Sequence, residues 1–202
     1  MSFQTGKVVV RKIVDFSNRH PVTRGMATYA VSWPVASLMQ QHLEGREKYD
    51  YWRTTRFLLY GSLYVAPTLN LWMTIARYLW PQTTLAAAVT KAVVEQVLYT
   101  PFASISFFFW MSVLEGKTVE QAKKEVSEKF FPTYKVAICI WPIVQTVNYT
   151  LIPEKNRVPF VSLCSLAWTT FLAYMKHLEG SHFKQHLPMP MHHEKKKIES
   201  AS

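Results

Sequence analysis

The side chains with chemistry to offer are few, and none of them forms a catalytic set. Beyond Pro142, Gln145 and Asn148 fall with Trp141 and Ile152 on one helical stripe, inside an apolar or neutral-polar run between Lys135 and Ile152. Amides on such a stripe bond to another helix or to water, because facing lipid would leave them unpaired. Lys91 and Glu95 are four residues apart and can pair on one helix face, with Gln96 beside them. At membrane depth this pair is a functional candidate; near the start of its segment it only reaches the interface. Asp50, Arg53 and Arg56 stand at the mouth of another apolar segment, and Arg157 precedes the last one. Arginines there can snorkel into headgroups or form ion pairs, Asp50 being the nearest partner for the first two.

Other constellations are missing. No glycine loop cradles a phosphate, no serine sits in a nucleophile elbow, and no paired carboxylates occur inside an apolar segment. An enzyme is therefore not expected, and neither is a cofactor. Cys139 and Cys164 lie in apolar stretches without metal-ligand spacing and read as buried small hydrophobes, with a redox pair as the alternative. His177, His182, His186, His192 and His193 fall in a polar tail with no accompanying cysteine, so no metal site is assigned.

The elements that would position these residues are helices. The chain has 202 residues, enough for one packed unit, and 49% of them are hydrophobic. Mean hydropathy is only −0.01 because loops and tail are polar. Local windows of about 17 to 25 mostly apolar residues fit the length of a membrane-crossing helix. Strand alternation is absent. The expected class is all-α: an integral membrane helical bundle of four to five apolar segments with amphipathic surface helices, a soluble bundle being the alternative. The spans are placed at 25–41, 57–75, 85–114, between Lys135 and Ile152, and 158–174. Pro34, Pro101 and Pro142 should kink three of them. A capping box from Thr118 to Gln121 opens a surface helix with Glu120/Lys124 and Glu125/Lys129 pairs, which Pro132 should end. Residues 1–24 form a basic amphipathic segment, 25–175 the bundle, and 176–202 a disordered tail. The net charge of +10 sits in tails and interhelical segments, which suits anionic lipid headgroups better than nucleic acid.

Trp141-Pro142, Gln145, Asn148-Tyr149, Ile152-Pro153, Arg157, Trp168 and Leu172 form a pattern at fixed spacing. Upstream lie Asp50, Arg53-Thr54, Arg56, Gly61, Pro67, Trp72, Lys91, Gln96 and Pro101. Together they resemble the Mpv-seventeen and 22-kilodalton peroxisomal membrane protein family over roughly 19–177, with the segment from His20 to Arg56 closest to the Mpv-seventeen-like branch. Ala36-Ser37 stands where the family has Gly-Asp, Glu95-Gln96 where it has Asp-Gln, and Ala66-Pro67 where it has Gly-Pro.

The resemblance implies a multi-spanning organelle protein linked to metabolite and reactive oxygen homeostasis. Two functions follow as expectations. One is a small pore or channel for metabolites, its path lined by polar side chains. The other is a non-conducting scaffold or assembly factor that recruits partners such as the mitochondrial ribosome. Expected partners are the lipid bilayer, small metabolites if a pore forms, and a second copy of the chain; direct nucleic-acid binding is not expected. The basic N-terminus and the resemblance favour the mitochondrial inner membrane, with the peroxisomal membrane as the alternative.

Overall fold

The computed structural model describes residues 20–170, which are helical throughout apart from short connections. The basic N-terminal segment up to Arg19, the end of the last apolar segment and the histidine-bearing tail lie outside the described residues. Helix α1 runs Pro21–Leu43, starting four residues ahead of the span expected from hydropathy. Helix α2 begins at Tyr51 on an Asp50 cap, whose carboxylate accepts from Arg53 N–H at 2.9 Å. It runs Tyr51–Tyr60, passes through a π turn at Gly61–Val65 and continues as Ala66–Leu79. Pro67 has no N–H to give its ladder, and the wider turn ahead of it shifts the pairing by one residue, Ala66 N–H bonding Gly61 O.

Helix α3, Leu85–Leu114, has the bounds that the sequence suggested. Thr84 caps its start, and Gly116 takes a φ of 82° in the turn that follows. Helix α4, Val119–Leu151, carries the expected capping box between Thr118 and Gln121. It does not end at Pro132. Both Pro132 and Pro142 lie inside one continuous helix, because each proline removes one backbone bond while packing against antiparallel α3 holds the axis on either side. Residues 157–170 form α5.

The distribution of side chains is that of a membrane protein. Ser32, Ser37, Gln41, Gln96, Ser106, Ser112, Asn148 and Ser162 are buried, while Val31, Leu63, Leu71, Val97, Leu98, Ile143 and Leu163 face outward. Helices α3 and α4 are long and apolar enough to cross a membrane, and only 17% and 11% of their most apolar stretches are buried. A core helix of a soluble protein would show the reverse. Exposed Tyr51 and Trp52 begin α2 and exposed Tyr78 ends it, placing amphipathic rings where headgroups lie. Cys139 also faces outward and Cys164 is half-buried, so the expectation of two buried thiols fails for Cys139; both are free.

Specific contacts set the helix order. Ser32 and Ser162 share a buried hydrogen bond between α1 and α5, and Gln40 Nε2 donates to Thr169 O at 3.3 Å. Between α1 and α2, Gln41 exchanges bonds with the Asp50 backbone, and Gly61 lies directly under the Trp33 ring. Helices α2 and α3 meet through Tyr60–Ser106 at 2.9 Å and the stacked Trp72 and Tyr99 rings. Trp141 and Trp168 bring α4 to α5. The five helices therefore surround a common interior.

Candidate functional site

That interior is a cavity of about 660 Å³ lined from all five helices. Along α3 and its C-cap the wall is Glu95, Tyr99, Ala103, Phe107, Met111 and Glu115, with Thr100, Ser104, Phe108 and Ser112 between them, one face at helical spacing. Twenty residues from Glu95 to Glu115 rise about 30 Å, the thickness of a hydrocarbon layer. Helix α4 adds Glu125, Lys129, Trp141 and Gln145, α1 adds Tyr29 and Trp33, and α5 adds Val161 and Ser165. Rings of Trp33, Phe57, Tyr60 and Phe107, with centroids 5.8 to 6.0 Å apart in successive pairs, form the wall in the middle.

One end is charged. Four basic residues, Arg46, Arg53, Arg56 and Lys129, and four acidic ones, Glu44, Asp50, Glu115 and Glu125, line it, all near helix ends or connections except Lys129. Arg53 grips Glu44 with both terminal nitrogens at 2.8 and 3.0 Å and reaches Gln40 at 3.2 Å. Of the two arginines it is Arg56 that pairs with Asp50, at 3.6 Å. Burial opposes ionisation of Glu44, but the hydrogen bonds and charge of Arg53, then of Arg46, outweigh it and hold the carboxyl below the usual range. The Arg53 backbone N–H, with the charge of Arg56, does the same for Asp50. Glu125 also loses some hydration, yet bonds from Lys117, Lys129 and Ser112 bring it down to about 2. The Glu125/Lys129 pair forms as expected, whereas Lys124 turns to Glu128 at 3.9 Å rather than to Glu120.

The other end is closed by a buried polar cluster. Glu95, 4% exposed, accepts from Tyr149 OH at 2.7 Å and from Gln145 Nε2. Asn148 Nδ2 donates to Gln145 Oε1 at 2.8 Å, so the two amides share the expected stripe and bond to each other. Lys91 does not pair with Glu95. Its ammonium donates to Gln82 O at 3.2 Å and lies 5.7 Å from the Tyr149 ring centre. Arg157 is 5.5 Å from the same ring and donates to Tyr149 O and Ile152 O, both at 3.3 Å. With α3 about 45 Å long and centred on the hydrocarbon, Glu95 lies about 7 Å inside its boundary and Lys91 at the boundary itself. That placement would put the carboxylate at depth and the ammonium at the interface, where it reaches the Gln82 carbonyl.

The sequence-derived candidates therefore divide. Glu95, Gln145 and Asn148 form the closed end, Lys91 and Arg157 back it, and Asp50, Arg53 and Arg56 form the charged end. Gln96 is buried but does not line the cavity: its backbone carbonyl accepts from Tyr134 OH at 2.8 Å, its side-chain Oε1 accepts from Thr100 Oγ1 at 3.5 Å, and its Nε2 is buried without a hydrogen-bond partner among the described residues. Pro34, Pro101 and Pro142 sit inside unbroken helices. Sequence reasoning gave no role to Tyr149 or to the rings of Tyr29, Tyr99 and Trp33. The available signal was spacing, since Tyr149 lies four residues beyond Gln145.

Comparison with known proteins gives the family. The model of the Mpv17 / PMP22 family matches residues 112–173, the end of α3, all of α4 and α5. The chain is similar to an Mpv17-like protein of Xenopus laevis, 28% identical over 83% of this chain and 82% of the relative. It is 31% identical to protein sym1 of Aspergillus oryzae over 77% of this chain and 90% of that one. A relative from Caenorhabditis elegans, 25% identical over 73% and 81% of the two chains, is named mitochondrial inner membrane protein Mpv17. No solved structure matches. With a helical bundle that is polar inside and apolar outside, and with relatives aligned along most of its length, the chain belongs to the Mpv17 / PMP22 family, on its Mpv17-like side, as a protein of the mitochondrial inner membrane.

Proposed function

We propose that the chain is a small channel or transporter for metabolites, with the central cavity as the solute path. One observation carries this reading: a cavity of about 660 Å³ extends along roughly 30 Å of α3 and is lined from all five helices. Its volume suits a metabolite-sized solute. A charged mouth, an aromatic middle and a polar end give a solute hydrogen-bonding partners at both ends and an apolar stretch between them. The Glu95–Gln145–Tyr149 cluster closes the path in this conformation, so conduction requires those bonds to exchange.

The closed end also favours a second reading, in which the cluster is permanent helix-to-helix glue and the protein is a non-conducting scaffold. Purified protein in a planar bilayer separates the two. Discrete voltage-dependent current steps, absent from matched detergent controls, support the channel; a silent bilayer containing folded, oriented protein supports the scaffold.

A further inference from the structure

The closed end of the cavity has the chemistry of a cation site. Among the described residues Glu95 is the one charged residue lining that end, and Gln145 and Tyr149, which bond it, are neutral. Lys91 and Arg157 do not line the cavity and are held by backbone carbonyls of Gln82, Tyr149 and Ile152. Aromatic rings surround the same place. Tyr99 is one helical turn from Glu95, Trp141 is one turn from Gln145, and Tyr29 lines the same cavity from α1. Ring faces carry negative potential, so they attract a cation and repel an anion, and a low-dielectric wall strengthens both effects.

The geometry points to a binding site for a small organic cation, an ammonium whose charge rests against Glu95 and whose carbon body is covered by Tyr29, Tyr99 and Trp141. Phosphorylated anions are disfavoured at this depth, since the carboxylate has no cationic neighbour on the cavity wall to receive them. The inference rests on the reading of the cavity as a solute path and narrows the solute that would pass.

Binding is tested apart from conduction, with detergent-purified full chain and intrinsic tryptophan fluorescence, since Trp141 lies at the site. Choline is titrated against its neutral isostere 3,3-dimethyl-1-butanol and against adenosine monophosphate. Choline should bind about tenfold or more tightly than the isostere, and adenosine monophosphate should not compete with it. Glu95→Gln, which keeps size and hydrogen bonding, should abolish the difference between choline and the isostere. Glu95→Asp should retain it. Equal binding of choline and the isostere by the unaltered chain overturns the proposal whether or not either variant folds, as does the absence of choline binding or displacement of choline by adenosine monophosphate. Choline binding without current in a bilayer would remove the channel reading and leave the site; current without choline binding would do the opposite.

Discussion

Gln145 and Asn148 look interchangeable on their helical stripe, but the bonding pattern makes their replacements unequal. Gln145 is the link: its amide donates across the bundle to Glu95, and its carbonyl accepts from Asn148 on the same helix. Gln145→Leu removes an interhelical bond worth about 0.6 to 2 kcal/mol and leaves the Asn148 amide and a Glu95 oxygen buried with one bond fewer, each a further penalty of about 1 kcal/mol or more. We expect a total loss of about 2 to 4 kcal/mol, reduced slightly by the apolar contacts of leucine. Asn148→Leu leaves the Glu95–Gln145 bond intact and removes one bond within α4, so about 1 kcal/mol is expected. In the double variant the Asn148 bond is already lost, and the combined effect should fall short of the sum by about 1 kcal/mol. The assay is denaturant unfolding in detergent micelles, with the four proteins compared as a cycle. Equal single effects, or an additive double, would refute the bonding order derived for the closed end.

Further outcomes follow from the packing and the charged mouth. A Cβ on Gly61 would lie 2.8 Å from Trp33 Cδ2, so Gly61→Ala should destabilise by about 1 to 3 kcal/mol despite the usual helical gain of about 0.5 to 1 kcal/mol over glycine; Trp33→Leu in the same chain should restore part of the melting temperature. Glu125 has a folded value of about 2 against 4.5 for the free residue, so its ionised form contributes stability that is complete above about pH 4.5 and lost as pH falls towards 2. Glu125→Gln should flatten the melting temperature across that window, and an unchanged pH profile would remove Glu125 from the account.

The helical class and most helix ends could be read from the chain because their signals are local. Thr118 and Gln121 sit at capping-box spacing, the apolar windows have membrane length, and Gln145 and Asn148 are three apart. What could not be read depends on partners distant in sequence. Pro132 has the local signature of a helix end, and only the packing of α4 along α3 carries the helix through it. Lys91 and Glu95 have ideal pairing spacing, yet Gln145 and Tyr149, fifty and more residues away, take the carboxylate, and the loop carbonyl of Gln82 takes the ammonium. The π turn of α2 answers to Pro67 and to the close approach of Trp33 at Gly61, an encounter between two helices that no window of either sequence contains.

If solute passes through the cavity, blocking it from within should stop the current. Ser104 lines the middle of the cavity on α3. With Cys139 and Cys164 replaced by alanine, Ser104→Cys is reconstituted in a planar bilayer and treated with a positively charged methanethiosulfonate reagent. We expect current in the untreated protein, a fall to less than about half on labelling inside the cavity, and recovery with dithiothreitol. Current that is unaffected by confirmed labelling would contradict this reading, as would the absence of current from folded protein before labelling.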